Sequence, residues 1–291
     1  MNGRYYIARL LLTIILSFCV VGYIGLSAAG TFFSEDVYID IINEEDLAGK
    51  ARTALEKDFQ AEYNTTMIPP EIYMNEITPE WTVKSMCESA QTAVAYITNA
   101  DFARETDYTA LEESITAYFH EYAESIGYEP DEVFEEKLSE TITNAENKIE
   151  SRMDAFYMQT LEKNGILQKA SKAYPYYTYG LFGMSAVILV LLVTLILLDR
   201  KGGWRRVYFA GTGFFCGGAL VAIPAAYLLL SDKISRFAVK EPVVYTAITS
   251  LLEACTEKAL IKAAFYGIMG LAMIIAAVAL NRKTKKLAEA E

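Results

Sequence analysis

The sequence predicts an all-α fold: a polytopic membrane protein with four transmembrane helices and an extracytoplasmic helical-bundle domain. Three observations lead to this prediction. The 291 residues are 53% hydrophobic, yet they carry a net charge of −11. The apolar residues are concentrated in four stretches that contain no Asp, Glu, Lys, Arg or His. The remaining residues show the 3–4-residue apolar spacing of amphipathic helices and no convincing strand alternation.

The four apolar stretches are residues 10–30, 176–198, 207–230 and 263–280. A membrane-spanning helix needs about 20 mostly apolar residues, so each stretch predicts one transmembrane helix. The first stretch follows basic residues and ends in Ser27-Ala28-Ala29, which resembles a signal-peptidase site. Its length favours an uncleaved signal anchor, and a cleaved signal peptide is the alternative.

Basic residues predict the orientation of the four spans. Cytoplasmic segments carry an excess of Lys and Arg, and three basic clusters flank the spans on one side. The clusters are Arg4 and Arg9; Arg200, Lys201, Arg205 and Arg206; and Arg282, Lys283, Lys285 and Lys286. This pattern places residues 1–9, 199–206 and 281–291 in the cytoplasm, and residues 31–175 and 231–262 outside. Lys233, Arg236 and Lys240 oppose it, partly offset by Asp232 and Glu241.

The predicted outside domain, residues 31–175, accounts for the acidity of the chain. It has 30 acidic and 11 basic residues, a net charge of −19, whereas the rest of the chain carries +8. Acidic outer faces solvate an exterior domain, and a surface for cations or a basic partner is the alternative. The net acidity also argues against nucleic acid as the partner.

Four helices are predicted within this domain. One starts at Ser34 and continues through Leu47 and Phe59 until Asn64-Thr-Thr and Pro69-Pro70 break it. A second starts at Thr78-Pro79. A third extends to Ile126 and is closed by Gly127, and the longest extends from Pro130-Asp131-Glu132 to Thr160, before Gly165. A four- or five-helix bundle is the expected architecture.

The sequence predicts no catalytic, cofactor or metal site. A histidine-based metal site needs several ligands, and the chain has one histidine, His120, which is expected on a helix surface. Adjacent carboxylates such as Glu112-Glu113 and Glu135-Glu136 follow from the acidity alone. Intramembrane ionisable residues mark proton and ion paths, so their absence from the four stretches argues against a coupled transporter.

Two sets of residues are candidates for specific contacts. Cys87 and Cys255 are both predicted outside and could form a disulfide, or their placement could be coincidence. In the third span, Gly213 and Gly217 form a GxxxG motif, and Pro224 follows. Small residues allow close helix packing, so these three residues are expected to pack spans together, with a pore or a partner helix as alternatives.

Residues 231–262 contain apolar positions from Val243 to Cys255 at helical spacing. This pattern predicts an amphipathic helix that lies on the membrane or docks on the large outside domain.

The chain has a first span, then Phe32-Phe33-Ser34-Glu35-Asp36-Val37-Tyr38, then an acidic helical domain and three closely spaced spans. This layout resembles that of uncharacterised bacterial four-span membrane proteins. The resemblance implies a bacterial plasma membrane and no known activity. The expected function is non-enzymatic: the outside domain binds or senses a partner at the cell surface. Expected partners are the lipid bilayer and a protein that meets the outside domain or the third span. A transport component, either a pore-forming oligomer or an accessory subunit, is the alternative, and a membrane enzyme is third.

Overall fold

The structure, a computed structural model, describes residues 3–99, 106–198, 203–231, 233–236 and 239–290. Every regular element in these ranges is a helix, and no strand occurs in them. The elements are α1 (Gly3–Ala29), α2 (Glu35–Glu44), α3 (Leu47–Thr66), α4 (Pro70–Met74), α5 (Pro79–Asn99), α6 (Thr109–Ser125), α7 (Glu132–Met153), α8 (Met158–Lys163), α9 (Ile166–Leu197), α10 (Gly203–Leu230) and α11 (Pro242–Ala290), with short 3-10 helices at Gly30–Phe33 and Ile234–Arg236. The all-α prediction is confirmed.

Four helical segments are long and apolar enough to cross a membrane, as predicted: Tyr6–Phe33, Ile166–Leu197, Gly203–Leu230 and Pro242–Lys283. All four start before the expected span boundaries, which are residues 10, 176, 207 and 263. Because α9 begins at Ile166, Pro175 lies inside a helix rather than at its start. Because α10 begins at Gly203, Arg205 and Arg206 are helical rather than part of a loop.

The last helix joins segments that the sequence analysis separated. A loop over 231–262 was expected before a separate span and a tail, but α11 is one helix from Pro242 to Ala290. No proline follows Pro242 in the chain, so no residue removes a backbone donor from its hydrogen-bond ladder. The apolar pattern alone does not distinguish two adjoining helices from one long helix.

The chain forms two compact units. Unit 1 consists of Met1–Phe33, Ala173–Phe237 and Leu252–Glu291, and it contains the apolar parts of α1, α9, α10 and α11. Unit 2 consists of Ser34–Lys172 and Ala238–Leu251. The beginning of α11 therefore belongs to the same unit as α2–α8, and its Val243, Val244 and Ala247 are buried. The first part of the predicted amphipathic segment thus packs within unit 2, whereas its last residues, Leu252 to Cys255, belong to unit 1.

One predicted helix of unit 2 is interrupted near Asp46. Asp46 adopts a left-handed backbone, with φ of 48°, so α2 ends at Glu44 and α3 starts at Leu47. Its carboxylate accepts a hydrogen bond from the Gly49 amide at 3.2 Å and so caps α3. The prediction of one continuous helix from Ser34 is therefore wrong. The break was not visible in the sequence because apolar positions continue at helical spacing on both sides of it.

The longest predicted helix is interrupted in the same way. α7 ends at Met153, and Tyr157 takes a left-handed conformation before the short helix α8. The buried carboxylate of Asp154 accepts hydrogen bonds from the amides of Gln159 and Thr160. These bonds satisfy amide donors at the start of α8. In an uninterrupted helix, backbone carbonyls of the preceding turn would accept from these amides.

Three helix boundaries agree with their sequence signals. The Thr78 hydroxyl accepts a hydrogen bond from the Trp81 amide at 3.2 Å, and Asp131 accepts one from the Phe134 amide at 2.9 Å. Gly127 has φ of +69° beyond α6, and the next amide, of Tyr128, donates to the Ala123 carbonyl at 2.9 Å. This is the pattern of a glycine-terminated helix.

Candidate functional site

The GxxxG glycines of α10 lie against α1 within unit 1. A Cβ atom placed at Gly213 would lie 2.7 Å from a Leu16 methyl carbon, and one at Gly217 would lie 2.8 Å from the Ser17 carbonyl oxygen. Further towards the start of both helices, the Thr13 hydroxyl donates to the Phe209 carbonyl at 3.4 Å. The contacts advance in the same direction along both chains, so α1 and α10 are parallel.

A second glycine face of α10 lies against α11. A Cβ atom at Gly218 would lie 2.6 Å from the Ala263 carbonyl oxygen and 2.6 Å from the Gly267 amide nitrogen. One at Gly211 would lie 2.8 Å from the Gly270 carbonyl oxygen. These contacts run in opposite directions, so α10 and α11 are antiparallel. α10 is thus in backbone contact with neighbours on two sides, and Pro224 lies inside it, beyond these contacts.

These contacts place five of the described basic residues of unit 1 at one end, whereas Lys233, Arg236, Lys258 and Lys262 do not belong to this group. The Arg9 guanidinium is buried and donates to the carbonyl of Leu198, next to the end of α9, at 3.4 Å. The parallel and antiparallel registers then bring Arg205, Arg206, Arg282 and Lys283 to this same end. The side chains of Arg4, Arg200, Lys201, Lys285 and Lys286 lie outside the described part of the chain.

Aromatic rings gather at the opposite end of unit 1. The Phe33 ring contacts the rings of Tyr174 and Tyr177, with centroid distances of 5.3 and 4.9 Å. Tyr176 and Tyr179 are more than 70% exposed. Exposed tyrosines at one end of an apolar bundle are typical of the interface between a bilayer and water.

Unit 2 contains a charged cleft centred on Arg152. The guanidinium of this residue, at the end of α7, donates to both oxygens of Asp58 on α3, at 2.6 and 3.1 Å. Its remaining nitrogen donates to Glu241, directly before α11, at 2.6 Å. Each side chain is about 25–32% exposed. Hydrogen bonds to the two carboxylates raise the pKa of Arg152 against the opposing effect of burial.

This cleft, called the Arg152 cleft below, has a volume of about 610 Å³. Its wall combines one face of α3 with the end of α7 and the beginning of α11. The exposed cations Lys50 and Lys57 lie one and three turns into α3, and Asp46 lies at its start. A ligand in this cleft would therefore meet fixed charges of both signs.

A carboxyl cluster connects α6 and α7 in unit 2. Burial raises the pKa of Glu146, and a hydrogen bond with Glu112 and the charge of Glu150 raise it further. Glu146 therefore binds a proton more readily than an isolated glutamate does. Glu112, one of the carboxylates noted in the sequence, belongs to this cluster. Glu135 lies 3.6 Å from the imidazole of His120, and the side chains of Glu135 and His120 are each about half exposed.

The cysteines are free thiols in the structure. Burial raises the pKa of the Cys87 thiol. Cys87 belongs to unit 2 and Cys255 to unit 1, where the Cys255 thiol donates to the Ala28 carbonyl at 3.4 Å. Their pairing stays a prediction. Within the described residues, no group of three His, Cys, Asp or Glu side chains could hold a metal ion.

The sequence analysis did not single out the residues of the Arg152 cleft. Asp58 and Glu241 are 94 and 89 residues from Arg152 along the chain, so no local spacing connects them. The one signal in the sequence is that Glu241 stands directly before Pro242, where a carboxylate favours the start of a helix. No family model, curated protein or solved structure matches this chain.

Proposed function

We propose that the chain is a non-enzymatic integral protein of a bacterial plasma membrane, with both termini in the cytoplasm. Unit 2 lies outside in this proposal and binds or senses a partner at the cell surface. The four apolar helices support the membrane location. The common end of Arg9, Arg205, Arg206, Arg282 and Lys283 supports the orientation. The opposite end carries the tyrosines expected at a bilayer interface.

The Arg152 cleft is the observation that carries the binding role. It is concave, it has charged walls from three separate segments, and its central arginine, Arg152, is charged at any physiological pH. A permanently charged group recognises a ligand electrostatically and does not transfer protons at neutral pH. The proposed partner therefore presents charges of both signs to the cleft.

Cysteine labelling tests the location. In a cysteine-free background, Thr53→Cys places a thiol in the cleft, and Lys283→Cys places one at the basic end of unit 1. A membrane-impermeant maleimide should label the first and not the second in intact cells, and both after the membrane is opened. Labelling of Lys283→Cys in intact cells would overturn the orientation.

Photo-crosslinking tests the binding role in the full chain. A photoreactive amino acid at Thr53, in the cleft, should give an adduct that Lys57→Glu abolishes. The same amino acid at Glu124, an exposed position on α6 outside the cleft, is the matched control and should give none. Equal adducts at both positions, or an adduct that survives Lys57→Glu, would contradict recognition by the cleft.

A transport role is the second candidate, and an apolar groove favours its accessory-subunit form. The groove, about 290 Å³, lies between α10 and α11 and is lined by small and apolar residues, including Ala219, Ala222 and Ala264. Gly213 and Gly217 contact α1 within the chain, so leucine there would test folding. Ala222→Phe is the better probe, because its ring fills the groove. If the substrate flux through a partner transporter is lost while unit 2 stays folded, this role is supported.

A further inference from the structure

A lysine of α11 lies at the end of unit 1 opposite the basic cluster. Lys262 lies 20 residues before Arg282, and Ser27 lies 18 residues after Arg9. At 1.5 Å per helical residue these separations are about 30 and 27 Å, close to the thickness of a bilayer's hydrocarbon core. The residues near Lys262 and Ser27 therefore lie at the depth where lipid headgroups begin.

The contacts described for Lys262 are with neutral groups. Its ammonium group donates a hydrogen bond to the Ser27 hydroxyl and lies 5.9 Å from the centre of the Tyr23 ring. Among the described residues, no carboxylate forms an ion pair with it. Arg152, by contrast, contacts two carboxylates. A half-buried cation held by a neutral hydroxyl and a ring favours an anionic ligand.

A second lysine extends this polar site. Lys258 lies one helical turn before Lys262, so both lysines lie on the same face of α11. Both are partly buried. Two ammonium groups on one face attract an anion more strongly than either group alone.

We propose that Lys258 and Lys262, with the hydroxyl group of Ser27, bind the phosphate-bearing headgroup of an anionic phospholipid. The two ammonium groups attract the charge, and the tyrosine ring of Tyr23 orients the lysine at the interface. The ligand is a lipid rather than free phosphate because the site lies where headgroups meet the apolar helices. This site is independent of the Arg152 cleft and of the side on which unit 2 lies.

Native mass spectrometry of the purified full chain in detergent tests this proposal. The probes are phosphatidylglycerol, phosphatidylcholine and inorganic phosphate, each alone. The wild type should retain phosphatidylglycerol over phosphatidylcholine, and inorganic phosphate should not displace it. Lys262→Gln should weaken phosphatidylglycerol binding about fivefold, the effect of removing one lysine charge at a lipid surface. Lys262→Arg keeps the positive charge and should bind phosphatidylglycerol as the wild type does.

Lys233→Gln is the matched control, because Lys233 also lies over a tyrosine ring, that of Tyr227 at 4.9 Å. Lys233 lies outside the proposed headgroup site, so its substitution should weaken lipid retention less than Lys262→Gln does. Should Lys262→Gln fail to fold, Lys258→Gln tests the same charge from the adjacent turn. Equal retention of the two lipids, equal losses in Lys262→Gln and Lys233→Gln, or displacement by inorganic phosphate would each overturn the proposal.

Discussion

Units 1 and 2 are both helical, yet their helices are held together by different kinds of residue. In unit 1, α10 meets its neighbours through Gly211, Gly213, Gly217 and Gly218, at distances that leave no room for a Cβ atom. In unit 2, large aliphatic side chains such as Leu55, Ile115 and Ile149 are fully buried, and the helices pack through such side chains rather than through glycines. Ion pairs and caps complete unit 2, whereas the polar contacts described in unit 1 are mainly hydroxyl-to-backbone bonds.

The difference follows from the solvent that each unit is suited to. In water, burying a large apolar side chain is itself favourable. In lipid, the surroundings are as apolar as the side chains, so helices associate through close packing and small residues. The residues that are buried where helices meet thus indicate whether the surroundings of each unit are water or lipid.

Truncation of a matched leucine in each unit should give the largest effect. Leu55→Ala removes a fully buried side chain from unit 2, and we expect a loss of about 2–5 kcal/mol from cavity formation and lost burial. Leu16→Ala in unit 1, also 0% exposed, should cost about 1–2 kcal/mol, because in lipid mainly the cavity contribution remains. Urea unfolding of unit 2 and SDS unfolding of unit 1 in the full chain measure these losses. Equal losses would remove the distinction.

Glycine substitution in unit 1 should give the next largest effect. Gly218→Ala forces a methyl group against the α11 backbone and should destabilise unit 1 by about 1–3 kcal/mol. Gly267→Ala on the facing helix is the control, because its Cβ would have nothing within 4 Å. It should be neutral or slightly stabilising, since alanine favours a helix. The opposite ranking in SDS unfolding would contradict the packing at Gly218.

Removal of the Arg152 charge should have a moderate effect on unit 2. Arg152→Gln leaves Asp58 and Glu241 facing each other without their cation, and we expect a loss of about 1–2 kcal/mol, between the values for exposed and buried ion pairs. Urea unfolding at low and high salt should show this loss shrinking with salt. Lys84→Gln, which breaks a much more exposed pair with Glu88, should have no measurable effect.

The smallest expected effect is a pH dependence of unit 2. The pKa of Glu146 is raised above its ordinary 4.5, so its protonated form favours folding. That contribution is full below pH 4.5 and is lost as the pH rises through the raised pKa. Glu146→Gln should therefore stabilise unit 2 by under about 1 kcal/mol at neutral pH and flatten this part of the stability profile. An unchanged profile in urea unfolding would contradict the raised pKa of Glu146.

Local signals predicted much of the helical framework but not where it is interrupted. Thr78, Gly127 and Asp131 each satisfy backbone groups a few residues away, so their effect is visible in the sequence. Asp46 and Asp154 use the same chemistry, yet apolar residues at helical spacing continue past both. The start of α11 could not be assigned to unit 2 from periodicity, because an amphipathic face does not specify what covers it.

The sequence by itself determined the class of the fold, the four apolar helices and the division of charge. These features depend on composition, on helical period and on bonds between residues a few positions apart. Only the tertiary structure decided that Gly213 and Gly217 contact α1, that Arg152 contacts both Asp58 and Glu241, and that Lys262 contacts Ser27. Each of these contacts joins residues that are far apart in the chain, and such pairing depends on packing and register that local residue patterns do not encode.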